Sequence, residues 1–192
     1  MKTKTLTYGG LDWLVLSETD KSVLVLAEHS IGEMPFDENN NNDWKNSSLR
    51  KYLKDDFLKQ LEQNGADLSK IIPMQRNLTT DDGLTDYGFC EDKITLLTAD
   101  EYRTHRYSIK NLDNWWWLAT AYSTASNGYP HYARSVDTDG TLNHDSAYYG
   151  DGGVRPALTL SSEIFVSTPI ENYTTEELLR ELLRRETEYA YE

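Results

Sequence analysis

Residues 115–120 read WWWLAT, and residues 153–160 read GVRPALTL. Both are short apolar runs bounded by turn-forming sequence, as expected of strands buried on both faces. Trp115–Leu118 is therefore expected as a buried strand and Val154–Leu160 as the closing strand. Pro156 cannot donate to a ladder, so it implies an edge position or a bulge. The hydrophobic spacing predicts that both segments are core strands of one small antiparallel sheet.

The flanking sequence supplies the rest of an α+β domain. Leu11–Ser17 (LDWLVLS) and Ser22–Glu28 (SVLVLAE), split by the polar Glu18–Lys21, read as a hairpin. Asp37–Asp43 (DENNNND) reads as a polar loop with nothing to pack. Ser47 or Ser48 then caps a helix whose Leu49, Leu53, Phe57 and Leu61 repeat every four residues, with Gly65 past its end. That helix should pack on the sheet. Ile71-Ile72 before Pro73 is a short strand that cannot continue, and Asn77–Gly88 is turn-rich. Lys93–Leu97 reads as a strand, and Thr98–Thr104 as a short helix with Thr98 and Glu101 forming a capping box. Residues 1–168 make one domain on this reading, and residues 169–192 a helical appendage. In the appendage Thr174 and Glu177 form a second capping box, and Leu178, Leu179, Leu182 and Leu183 form an apolar stripe. Glu176–Arg180 and Glu181–Arg185 are i,i+4 pairs in the favourable order. The stripe suits either a helix folded back on its own domain or one that self-associates or docks a partner.

Composition narrows the partners. The 192 residues carry 32 acidic and 19 basic side chains, a net charge of −13. Such a surface repels a phosphate backbone, so nucleic acid and anionic membrane are poor partners. No apolar run approaches the ~18 residues of a membrane span. The N-terminus lacks the apolar core of a secretory signal, which predicts cytoplasmic synthesis. A single cysteine, Cys90, excludes an internal disulfide and every Cys-cluster metal site.

Catalytic motifs are absent from the sequence. There is no GxGxxG, Walker loop, HExxH or GxSxG. His29, His105, His131 and His144 have no spacing that suggests a metal or a nucleophile pair. Asp137-Thr138-Asp139-Gly140 resembles the start of a calcium loop, but Leu142 occupies the position of its glycine and no glutamate follows at the twelfth position. A turn is the better reading, and no cofactor and no enzyme activity are expected.

Between the two apolar runs lies Thr120–Gly153, TAYSTASNGYPHYARSVDTDGTLNHDSAYYGDGG. These 34 residues contain no Lys, Glu, Gln, Met or Trp, against 36 of those five types in the other 158. They hold five of the 13 tyrosines, mixed with Ser, Asp, His, Asn and Gly. Tyr supplies rigid contact area while Ser, Gly and Asn supply adaptable hydrogen bonds, the palette of binding loops. Set between apolar strands, the segment reads as a contact surface on a fixed scaffold.

WWWLAT followed by GVRPALTL, with DWLVL early, WKNSSLRKYLKDDF in the helix and DKITLLTADEY between, resembles a bacterial and phage family of domains. Their C-type-lectin-like fold ends in a "WWL … GVRPAL" pair. The likeness covers roughly residues 6–166 and implies that fold, with small antiparallel sheets, two helices and long ordered loops. The segment further resembles the variable proteins of diversity-generating retroelements, whose asparagine codons become NNY codons by error-prone copying of adenines. NNY codons cannot encode Lys, Glu, Gln, Met or Trp. The resemblance makes Tyr122, Tyr129, His131, Tyr132, Ser135, Asp137, Asp139, His144, Asp145, Ser146, Tyr148, Tyr149 and Asp151 the candidate variable, ligand-binding positions. It implies no sugar site: Tyr129-Pro130-His131 is not the Glu/Asn-Pro-Asp/Asn triplet that calcium-dependent sugar binding needs. It implies no formylglycine-type oxidase either, since that chemistry uses a cysteine pair.

The expected function is therefore non-catalytic recognition of a protein or other macromolecular ligand through residues 120–153. The alternatives are a non-diversified structural module of a bacterial surface or phage virion assembly and, from another class, an enzyme of unknown chemistry.

Overall fold

The computed structural model describes residues 4–165. Among these residues eleven strands form in chain order: β1 (Thr5–Tyr8), β2 (Leu11–Glu18), β3 (Ser22–Ala27), β4 (Ile71–Ile72), β5 (Met74–Asn77), β6 (Phe89–Asp92), β7 (Ile94–Thr95), β8 (Trp116–Ala121), β9 (Tyr132–Val136), β10 (Leu142–Ser146) and β11 (Ala157–Ser161). They make a six-stranded sheet in the order β1-β2-β3-β11-β4, with β7 also on β11, a three-stranded sheet β10-β9-β8, and the ribbon β5-β6. All the strand pairs are antiparallel. The protein is a mixed α+β fold built from small antiparallel sheets. The hairpin expected at residues 11–28 forms as β2 and β3, with a bulge between Val15 and Ser17.

One expectation about the two apolar runs fails. Trp116 and Trp117 open β8 in the three-stranded sheet, whereas Ala157–Ser161 lies inside the six-stranded one. The physical reason is that the adjacent tryptophans point into different cores, as successive strand residues must. Trp117 packs in the main core with Trp13, Phe36 and Trp44, while Trp116 packs with Leu26, Leu97 and Tyr102. The segment 152–156 crosses between the sheets. Gly153 donates to the Trp115 carbonyl at 2.9 Å, its own carbonyl accepts from Trp117, and Val154 then donates to Gly32. Gly152 lies against the Trp115 and Trp117 rings so closely that a Cβ would overlap the Trp117 indole nitrogen.

Pro156 is compatible with an interior strand because it precedes β11, so no ladder donor is lost. Its carbonyl accepts from Ala27 at 2.8 Å. Arg155 beside it is fully buried and, among the described residues, has no carboxylate within salt-bridge distance. Its guanidinium donates to the carbonyls of Ala27 at 2.8 Å, Glu28 at 3.0 Å and Lys110 at 3.2 Å, and lies 5.1 Å from the Trp116 ring centroid. Burial pulls its pKa down to about 10, which leaves it charged at neutral pH. The two sequence runs that announce the fold are thus joined through a cation over an indole face.

The amphipathic helix forms with Ser47 as its cap, its hydroxyl accepting from Arg50 at 3.1 Å. It is not one regular helix. α1 (Ser48–Tyr52) passes into a π-helical turn (Leu53–Phe57) and then α2 (Leu58–Gln63). A strict four-residue repeat drifts about 40° per step around a 3.6-residue helix. The wider π turn compensates that drift and keeps Leu49, Leu53, Phe57 and Leu61 all buried. Lys93–Leu97 is strand only at β7. The capping-box helix is α3 (Ala99–His105), with both reciprocal Thr98–Glu101 bonds present. The 168/169 domain boundary and the C-terminal helix lie outside the described residues.

Candidate binding surface

The register of β8, β9 and β10 decides what the segment presents. Val136 pairs with Leu142, Arg134 with His144 and Tyr132 with Ser146. Directly paired residues share a face, so these six lie on one side of the sheet. Towards the β9–β10 turn that side is closed, with Val136 and Leu142 packed with Trp116 and Tyr102 beneath α3. Towards the other end it carries an aromatic cluster. The Tyr122 ring stacks on His144 at 4.5 Å and meets Tyr129 edge-on at 5.7 Å and Tyr132 at 6.4 Å. Tyr132 is 5.2 Å from His144 and 4.3 Å from His131.

Tyr148 and Tyr149 extend this cluster as an edge-on pair at 4.9 Å. The Tyr149 hydroxyl is harder to ionise than usual because Tyr148 is adjacent, with Asp145 and Tyr132 adding to the effect. The structure therefore brings Tyr122, Tyr129, His131, Tyr132, His144, Tyr148 and Tyr149 together, with Asp145 on the opposite face of β10 but close to Tyr149. Tyr129, Tyr148 and Tyr149 are exposed, and the other five are half-buried.

The remaining candidates fall elsewhere. Ser135 is 0% and Ser146 8% exposed, so neither can form part of a contact surface. Ser135 donates to Asp145 at 2.7 Å and Ser146 to Asn40 at 3.0 Å; both are internal supports. Ser135 points to the main-core side of the sheet, which it shares with Trp117, whereas Ser146 is on the side of Tyr132 and His144 and bonds to Asn40; a small hydroxyl is tolerated when buried once it is bonded. Asp137 and Asp139 belong to the β9–β10 turn. There Asp137 accepts from Gly140 through its backbone and Asp139 from Thr141 through its carboxylate, with Gly140 at φ 82. Asp151 is exposed next to the crossover, its carbonyl accepting from Asn114.

What holds the surface comes largely from outside the segment, and from a loop expected to pack against nothing. Asp37, Asn42 and Asp43 are all buried. The Asn42 amide nitrogen lies 2.9 Å from the Ser123 and Tyr129 carbonyls and 2.8 Å from that of Tyr132. Its backbone N–H donates to Pro130, and its amide oxygen accepts from the Tyr87 hydroxyl at 2.6 Å. Burial, with Asp43 and Asp86 nearby, pushes the Tyr87 pKa up to about 12 and keeps it a donor. The polar run satisfies itself by Asx turns: Asp37 accepts from Asn39 and Asn41, and Asp43 from Lys45. The density of Asp and Asn ahead of a helix cap was the available signal.

A second anchor comes from the turn-rich stretch 77–88. Asp82 accepts from Ser123 and Thr80, and Asp86 from Ser126 and Thr124. These hydroxyl donors hold both carboxyls below their ordinary range. They fix the loop at Ser123–Asn127 that precedes Tyr129.

Beside this end of the sheet lies a polar cleft of about 250 Å³, lined by residues including Arg76, Asp81, Glu101, Arg103 and Thr120. Its charges are internally matched. Arg76 forks onto Glu101 at 2.7 and 2.6 Å, and Arg103 bridges Asp81 and Asp100. Burial raises the Glu101 pKa, but Arg76 and Thr98 outweigh it, so the carboxyl titrates below its usual value. Cys90, half-buried, has its pKa pushed up to about 11 by burial and by Asp92, the opposite of an activated thiol.

The description that matches this chain is Domain of unknown function (DUF6273), over residues 20–162. The chain belongs to that family. No curated protein and no solved structure matches it. The matched region of this DUF6273 domain runs from the β2–β3 turn through β11 and so includes the anchors and the whole aromatic surface. Among the described residues of the domain, no group of three His, Cys, Asp or Glu converges as a metal site. No helix there is long and apolar enough to cross a membrane.

Proposed function

We propose that this protein is a non-catalytic recognition domain of C-type-lectin type, and that the face formed by Tyr122, Tyr129, His131, Tyr132, His144, Tyr148 and Tyr149, with Asp145 at its edge, binds a macromolecular ligand. One observation carries the reading. A contiguous tyrosine- and histidine-rich cluster stands on loops held by backbone-directed hydrogen bonds from Asn42 and by carboxylates outside the segment. Asn42 bonds carbonyl oxygens, which every residue type supplies, so exchange of the displayed side chains leaves that anchor intact. Such separation of scaffold from surface is what a diversified binding site needs. The absence of five residue types from residues 120–153 supports diversification through NNY codons.

Two experiments test this. Sequencing the locus in sibling isolates should reveal a neighbouring reverse-transcriptase gene and a near-copy of the 115–160 coding segment. Codon changes should concentrate at the displayed positions and spare Ser123, Ser135 and Ser146. An invariant segment with no such copy would refute diversification. Joint replacement of Tyr129, His131, Tyr148 and Tyr149 by Ser should leave Tm within a few degrees, since surface changes cost within about 0.5 kcal/mol each. Unfolding would instead make these rings structural.

A further inference from the structure

The strand β10 borders the aromatic surface and has one strand neighbour among the described residues, β9. Its ladder is read from its two flanks: Asp137 N–H donates to the Thr141 carbonyl, and Ala147 N–H to that of His131. In an antiparallel pair, bonded and non-bonded positions alternate. Thr141, Asn143, Asp145 and Ala147 therefore direct their backbone groups to β9, and Leu142, His144 and Ser146 direct theirs outward. Asn40 closes the Ser146 end by accepting from the Ser146 hydroxyl and the Tyr148 N–H. At His144 the outward N–H is met only by the Asn143 side-chain oxygen of its own neighbour, at 2.9 Å. Among the described residues, Leu142–His144 is an open edge.

Resting on the recognition role above, we infer that β10 takes up an extended, basic segment of a partner protein as an added strand. Backbone bonds at Leu142 and His144 would supply about four hydrogen bonds, and side-chain alternation would sort the partner's residues. Residues of the added strand opposite His144 fall on the face of Tyr122 and Tyr132. Those one position away fall on the face of Asp145 and Asp137. Lys or Arg fits there, because Asp145 and Asp137 accept from the neutral donors Ser135 and Asn143, and the cation across the strand among the described residues, Arg134, lies on the opposite face next to Asp81. The same carboxylates, on a chain of net charge −13, disfavour a second copy as the added strand. A cationic strand is attracted where a like copy is repelled.

The test uses the full 192-residue chain, labelled with ¹⁵N, and an acetylated Lys-Val-Lys-Val-Lys-Val amide peptide. Its Glu-Val counterpart and a form N-methylated on alternate residues serve as controls. The Lys-Val peptide should shift and protect the Leu142 and His144 amides, and both controls should fail. His144→Pro removes the outward N–H while sparing the ladder to β9, and His144→Ala removes only the ring. His144→Pro should bind the peptide on the order of tenfold more weakly than His144→Ala, with both folded by their spectra. Equal affinity of the two variants, or undiminished binding of the N-methylated peptide, would overturn strand addition while leaving a side-chain binding face intact. No shift anywhere in residues 142–146 at millimolar peptide would overturn it as well.

Discussion

The side-chain amide of Asn42 lies 2.8 Å from the carbonyl oxygen of Tyr132, 90 residues further along the chain. The same nitrogen reaches the carbonyls of Ser123 and Tyr129, so two hydrogens are shared among three acceptors in a fully buried site. One asparagine thereby sets both ends of the β8–β9 loop against the start of β9.

Replacing Asn42 should be among the most damaging polar changes in the protein. Asn42→Ala leaves the Ser123 and Tyr129 carbonyls and the Tyr87 hydroxyl short of partners, while the Tyr132 carbonyl keeps the Tyr122 N–H. Each unsatisfied group costs about 1–3 kcal/mol, and water entering the vacated space offsets part of that. We expect a loss of about 3 kcal/mol in urea denaturation, against less than about 0.5 kcal/mol for Asn143→Ala on the exposed edge. Asn42→Asp should be worse than alanine, since a carboxylate has no N–H and faces only oxygen atoms.

Gly152→Ala probes the crossover between the sheets. The added methyl group overlaps the Trp117 indole, whose Nε1 is already committed to the Met34 carbonyl at 2.9 Å. Overpacking of this kind costs typically 1–3 kcal/mol. Thermal melting should show a clear decrease, while Gly150→Ala, with open space around it, should stay near the parent.

Acid should loosen the loop at Ser123–Asn127. The Asp82 and Asp86 carboxyls are held below their ordinary range by hydroxyl donors, for Asp82 chiefly Ser123 and for Asp86 chiefly Ser126. Their folded pKa values lie below the unfolded ones. The stabilisation is therefore fully present above the ordinary carboxylate pKa of about 3.9 and is lost as pH falls through the lower native values. Amide resonances of Ser123–Asn127 followed through an acid titration should broaden in that window. In the Asp82→Asn, Asp86→Asn double variant the window should disappear.

Much of the scaffold was legible because local chemistry determines it. The Thr98–Glu101 capping box, the Ser47 cap, the β2–β3 hairpin and the Asp137–Gly140 turn depend on residues within a few positions of one another, and all of them form. What could not be read was long-range. Nothing in WWW says that Trp116 and Trp117 serve different cores, and nothing in DENNNND says that Asn42 meets carbonyls 81 to 90 residues away. Within the candidate surface, residue type selected the tyrosines and histidines that cluster. It also selected Ser135 and Ser146, because a bonded, buried serine and one displayed to solvent look alike until strand parity, for Ser135, and the Asn40 contact, for Ser146, are known.

We propose that the aromatic face is a replaceable recognition surface on a self-sufficient scaffold. The most direct measurement is a display selection against a panel of unrelated proteins. One library carries NNY codons at Tyr122, Tyr129, His131, Tyr132, His144, Tyr148 and Tyr149. A matched library carries them at Asn42, Asp82, Asp86, Ser123, Thr124, Ser135 and Ser146, and protease resistance is scored in both. Most members of the first library should resist protease as the parent does and specific binders should enrich from it, while the second library should be largely degraded. Loss of protease resistance throughout the first library, or a folded first library from which no binder enriches, would contradict the proposal.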